Sequence, residues 1–178
     1  MPPKRVTVFC SSHTRPGEAA YDQALRLGQL LAQAGHTVLT GGYIGSMEAI
    51  SRGAAEAGGH VIGVTCEEIE RWRPISANPW VKEEWRCATL RDRLSRLIDG
   101  CEAALALPGG PGTLTEIALT WNLLLTDAIP PRPLILIGPG WRATFEAFWG
   151  ALGEFVPPSQ RQWLSFAADI EEAVQLLT

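Results

Sequence analysis

Two glycine-rich turns carry the first chemistry in this chain. Pro108-Gly109-Gly110-Pro111-Gly112-Thr113 stands between an apolar run and a helical pattern. Glycines let a backbone come close to a ligand. A helix opening near Thr113 aims free N–H groups, and about half a positive charge, at whatever occupies the turn. A phosphate suits that position, and Thr113 adds a hydroxyl; the alternative is a tight turn with Thr113 as an N-cap. A second turn, Gly41-Gly42-Tyr43-Ile44-Gly45-Ser46, follows another apolar run. Two such turns at one sheet edge point to an anion site. Glu116, three residues past Thr113, is either a carboxylate at the mouth of that site or the second half of a capping box. Arg91, Arg93 and Arg96 do not share one helical face. Some are therefore solvated, and the one facing the strand ends is the candidate ligand contact.

Several chemistries are excluded. There is no GxxxxGK[ST], so a Walker-type NTPase is disfavoured. The first strand is not followed by GxGxxG and no ribose acid is evident, which disfavours dinucleotide binding of the usual kind. The cysteines at 10, 66, 87 and 101 form no CxxC pair, and His13, His36 and His60 stand at no metal-finger spacing. We expect no metal, no cofactor and four reduced thiols, with Cys101 a small buried hydrophobe. A thiol nucleophile needs a base nearby, and Cys10 has only His13.

These residues must be held by a frame, and its signals alternate along the chain. Strands are expected at Arg5–Cys10, His36–Thr40, His60–Thr65, Ala103–Leu107, Pro133–Ile137 and Trp163–Phe166. Helices are expected at Glu18–Ala34, Gly45–Ala57, Thr89–Ile98, Thr113–Leu125, Trp141–Leu152 and Asp169–Leu177. Strand–helix alternation predicts an α/β fold: a Rossmann-like, doubly wound parallel sheet with helices on both faces. Ligands in such folds bind beyond the carboxyl ends of the strands. That directs attention to Cys10–His13, Gly41–Ser46 and Pro108–Thr113. The 178 residues read as a single nucleotide-binding domain, 1–178. One irregular Trp- and Pro-rich insertion, about 66–88, interrupts the rhythm. Its Trp72, Trp80 and Trp85 either stack on a base or serve packing or a dimer contact.

Hydrophobic residues make up 46% of the chain, enough for a real core, and the net charge of −4 argues against a nucleic-acid partner. No apolar run is long enough to span a membrane and no signal peptide is readable, so a cytoplasmic location is expected.

Pro108-Gly109-Gly110-Pro111-Gly112-Thr113-Leu114-Thr115-Glu116 matches PGGxGTxxE, and by this motif the chain resembles the LOG (Lonely guy) family, often mislabelled "lysine decarboxylase". Val8-Phe9-Cys10-Ser11-Ser12 resembles the family's first strand and serine-bearing turn. Gly41-Gly42 through Gly45-Ser46-Met47 resembles its GGGxxGLMG turn. Leu90-Arg91-Asp92-Arg93-Leu94 occupies the family's MHxRK segment, so Arg93 takes the place of the family arginine. The resemblance implies a Rossmann-like homodimer that hydrolyses the N-glycosidic bond of a nucleoside 5′-monophosphate, the best-known substrates being cytokinin riboside monophosphates. It implies Arg93 and Glu116 as the catalytic pair. It further implies a phosphate and nucleotide grip from Ser11, Ser12, Gly41, Gly42, Gly45, Gly109, Gly110, Gly112 and Thr113.

There are departures. Leu90, Arg91 and Leu94 replace the family Met, His and Lys, and Tyr43, Ser46 and Glu48 alter the second turn. The decarboxylase label fails here, because a pyridoxal phosphate enzyme needs a Schiff-base lysine. The only lysines, Lys4 and Lys82, lie in the N-terminal tail and the insertion. A non-catalytic carrier of a nucleotide or of a molybdenum cofactor is the main alternative, and a nucleic-acid-associated module is a third.

Overall fold

The computed structural model describes residues 2–177. Seven strands form one sheet: β1 (Arg5–Phe9), β2 (Thr37–Thr40), β3 (Val61–Cys66), β4 (Glu83–Cys87), β5 (Ala103–Ala106), β6 (Leu134–Ile137) and β7 (Ser165–Ala167). Their order is β4-β3-β2-β1-β5-β6-β7, and every pairing is parallel. The connecting helices are α1 (Ala19–Gln33), α2 (Ser46–Glu56), α3 (Glu67–Trp72), α4 (Leu90–Asp99), α5 (Pro111–Leu125), α6 (Pro139–Leu152), α7 (Pro158–Arg161) and α8 (Ile170–Gln175).

Period-2 alternation splits the core into two layers. Leu105 of β5 and Ile135 and Ile137 of β6 face one way, packing with α1, α2 and α8 through Leu27, Leu31, Ile50 and Ala173. Ala104 and Ala106, with Leu134 and Leu136, face the other way, against Leu97, Ile98, Ile117, Leu124 and Phe145 of α4, α5 and α6. The doubly wound α/β fold is therefore present. Among the described residues, no helix is long and apolar enough to cross a membrane.

The 66–88 segment differs from the expected irregular loop, since it contains α3 and an edge strand, β4, in register with β3 from Ile62↔Glu83 to Cys66↔Cys87. Trp85 and Cys87 are half-buried while Glu84 and Arg86, which alternate with them, are exposed. Two helices also begin earlier than expected. α5 starts at Pro111 rather than Thr113, and α6 at Pro139 rather than Trp141. Both place proline at N1, where its missing N–H costs no hydrogen bond and its fixed φ favours the helix.

Candidate active site

The strand order reverses between β1 and β5, and the cavity lies there, beyond the carboxyl ends of the strands. Its volume is about 230 Å³. The β1–α1 turn contributes Cys10 to His13, the start of α5 contributes Gly110 to Thr113 and Glu116, and α4 contributes Arg93. Tyr43, Ile44 and Met47 close one side, and Ile69, Trp72, Arg73 and Ile75 another.

The early start of α5 changes what Glu116 does. The N-cap is Gly110, with no side-chain capping bond. Thr113 is then the third helical residue and Glu116 lies a full turn deeper, so no capping box forms. Both side chains are buried, at 3% and 9% exposure. Among the described residues the Glu116 carboxylate has no hydrogen-bond partner; its backbone carbonyl accepts from Thr120 Oγ1 at 2.7 Å. Burial pushes its pKa up to about 7, and the positive charge of Arg93 partly opposes the rise. At the helix mouth, the amides of Gly112 and Thr113 are the intrahelically unpaired donors, since Pro111 has none.

Arg93 is the arginine of α4 that turns inward, at 7% exposure; Arg91 and Arg96 are exposed. Its Nε donates to Val64 O at 2.8 Å and Nη2 to Gly41 O at 3.1 Å. The guanidinium stands 5.6 Å from the Tyr43 ring centroid. Nη1 has no partner among the described residues, which leaves donors for a ligand. Two backbone carbonyls thus hold a buried charge on the cavity wall.

Of the residues the resemblance singled out, Arg93, Glu116, Ser11, Ser12, Gly110, Gly112 and Thr113 come together in this cavity. Gly41, Gly42, Gly45 and Gly109 do not line it, and each has a supporting place instead. A Cβ on Gly41 would run into Arg93 Nη2 and the Met47 sulfur, and one on Gly109 would run into Thr113 Oγ1. These two glycines make room for the side chains that do face the cavity. Gly42 and Gly45 have φ of +76° and +73°, and Gly45 lines an adjacent cavity beside Arg15 and Glu48. The departures at Leu90, Arg91 and Leu94 also fall outside the lining.

Cys10 lines the cavity, but burial, reinforced by Glu116, pushes its thiol pKa far up. That disfavours a thiolate nucleophile. The described residues hold no cluster of His, Cys, Asp and Glu suited to a metal.

Sequence reasoning missed Asn78 and named Tyr43 only as a departure in the second glycine turn. Asn78 Nδ2 donates to Gly42 O at 3.0 Å and Tyr43 O at 2.9 Å, clamping the glycine turn from the 66–88 segment. Tyr43 Oη accepts from Cys66 N at 2.7 Å, and burial pushes its pKa up to about 12. Asn78 follows no local pattern; only the fold brings it to the turn.

The SLOG cluster4 family model matches residues 3–124. A relative from Arabidopsis thaliana named cytokinin riboside 5′-monophosphate phosphoribohydrolase LOG5 is 32% identical, covering 98% of this chain and 77% of its own length. A protein of the same enzyme name from Rhodococcoides fascians is 29% identical over 97% of this chain and 88% of its own. Among solved structures, the molybdenum cofactor binding protein of Rippkaea orientalis superposes with a TM-score of 0.76 at 24% identity, covering 99% of this chain and 96% of that one. The molybdenum cofactor carrier protein of Chlamydomonas reinhardtii does so with a TM-score of 0.73, at the same identity and coverage. At that identity the likeness speaks for the fold alone. The family match and the similarity across nearly the whole sequence agree: the chain belongs to the SLOG cluster4 family, among the LOG proteins.

Proposed function

We propose that this chain hydrolyses the N-glycosidic bond of a purine-type nucleoside 5′-monophosphate, cytokinin riboside monophosphates included, to free base and ribose 5-phosphate. The observation that carries the reading is Glu116: a buried carboxylate without a hydrogen-bond partner, beside a buried arginine, in a cavity rimmed by a helix N-terminus. The relatives named phosphoribohydrolases support it.

The chemistry follows from the parts. The 5′-phosphate rests on the Gly112 and Thr113 amides and the Thr113 hydroxyl, which positions the ribose. As the glycosidic bond breaks, its electron pair leaves with the base and positive charge grows on the ribose ring. Ionised Glu116 stabilises that charge and takes a proton from the attacking water. The hydroxide equivalent adds to the anomeric carbon, and the proton taken up by Glu116 passes to the departing base, which leaves as the neutral free base and restores the carboxylate. The free donors of Arg93 bind the nucleotide and favour departure of the base. No cofactor is required by this scheme.

The exposed apolar residues Leu114 on α5 and Phe148 and Leu152 on α6, with Phe155 just beyond at 70% exposure, support the homodimer reading. Light scattering on the purified chain tests it, and a clean monomer refutes it.

The test of activity incubates the protein with AMP, other nucleoside monophosphates and isopentenyl-adenosine monophosphate, and measures free base by chromatography. Release by the wild type that disappears in Glu116→Gln establishes the reaction. AMP binding by calorimetry without release from any substrate establishes the carrier reading instead.

A further inference from the structure

None of the six residues of helix α3 is buried. A helix this short does not sustain itself. It is tied down through its carboxylates. Arg86 Nη1 and Nη2 donate to Glu70 Oε1 and Oε2 at 3.2 and 2.6 Å, and Tyr43 Oη donates to the same Oε1 at 3.2 Å. Glu68 accepts from the Leu90 amide at 2.8 Å. Ile69, Trp72 and Arg73, spaced i, i+3 and i+4, line the cavity that holds Arg93 and Glu116.

Trp72 is 82% exposed, the most exposed large apolar side chain among the described residues. The other two tryptophans of the segment are used elsewhere. Trp80 is half-buried beneath Arg52, 5.7 Å from its ring, and Trp85 is half-buried beneath Arg96 at 4.4 Å. Neither lines the cavity. Polar anchors thus hold one bare indole at the rim of a ligand-sized space, with Ile69 and Ile75 beside it.

We propose that Trp72 is a specificity-determining residue of this site: the planar aromatic base of the ligand stacks on its indole, while the phosphate sits at the opposite wall on α5. Stacking on an aromatic side chain reads the base through its π-face and tolerates different ring substituents. The ligand class is therefore an aromatic nucleotide, as distinct from a bare sugar phosphate. The inference rests on the nucleotide reading of the site but not on hydrolysis.

The experiment compares AMP with ribose 5-phosphate, which shares the phosphate and sugar but lacks the base. Both are titrated calorimetrically into Glu116→Gln, which keeps the nucleotide whole, with and without Trp72→Ala or Trp72→Phe. AMP affinity is expected to fall about five- to hundred-fold in Trp72→Ala, to be largely kept in Trp72→Phe, and to leave ribose 5-phosphate affinity unchanged. Equal losses for both ligands, or no loss for AMP, overturn the proposal. A change of oligomeric state by light scattering with AMP affinity intact also overturns it and makes Trp72 an interface residue. AMP binding that depends on Trp72 in a protein whose wild type releases no base refutes hydrolysis and leaves this inference standing. Failure of AMP to bind refutes both.

Discussion

Replacing Glu116 with glutamine should make the protein more stable at alkaline pH while abolishing the proposed base release. The carboxyl is buried, and its pKa stands at about 7 against an ordinary 4.5. Between these values the folded chain retains a proton that the unfolded chain has released. Stability therefore falls as pH rises through that window, and levels off above about pH 8. The difference corresponds to about 3 kcal/mol lost from the wild type by pH 8.5. Glutamine, a neutral isostere, keeps the volume and loses the titration. The stability gap between Glu116→Gln and wild type should be below about 1 kcal/mol at pH 5 and about 3 kcal/mol at pH 8.5. For a chain of this size that is about 6–12 °C in Tm at the alkaline end. Thermal melts of both proteins across pH 5–8.5 measure it, the difference cancelling every other titrating group. A gap that does not change with pH refutes the burial argument. Arg93→Met supplies a second check: removing the opposing charge should move the wild-type loss to higher pH.

On the proposed mechanism, in which ionised Glu116 is the working form, base release should rise with pH through a midpoint near 7; a flat kcat/KM profile over pH 5–8.5 counts against that role. Gly41→Ala forces Arg93 off its carbonyls, so nucleotide affinity should drop at least about ten-fold with a stability loss of about 1–3 kcal/mol, read by calorimetry and urea titration. Asn78→Ala removes two side-chain hydrogen bonds to the glycine turn. It should cost about 1–3 kcal/mol and raise KM more than it lowers kcat, whereas unchanged kinetics would show that the turn stands without its clamp.

The sheet and its wrapping helices were legible because β1, β5 and β6 are short apolar runs between helical patterns. What escaped did so for identifiable reasons. β4 reads Glu-Glu-Trp-Arg-Cys and lies at a sheet edge, so only Trp85 and Cys87 carry the alternation, and nearby prolines mask it. The prolines at 111 and 139 look like breakers yet open helices, and that two-residue difference moved Glu116 from a capping position into the cavity. The Arg93 and Glu116 pair stood out through the motif. The division of the glycines between Gly110 and Gly112, which face the cavity, and Gly41 and Gly109, which give others space, was not readable, because it depends on neighbours distant in sequence. For the same reason Asn78, thirty-six residues from the carbonyl it clamps, had no local signature.

The strand order has a consequence for how the protein acquires competence. β1 pairs with β2 at Arg5↔Thr37 on one side and with β5 at Val6↔Ala103 on the other, so the first strand made waits for a partner almost a hundred residues later. The left wing, β1 to β4, closes through comparatively local pairings, while the right wing depends on the single long return through α4. Arg93 rides on that return and is stitched to left-wing carbonyls; Glu116 belongs to the right wing. Neither half-sheet alone contains both. On the proposed function, turnover reports that the two wings have joined, and a substitution that weakens the β1–β5 seam should abolish base release while a folded-looking left wing persists.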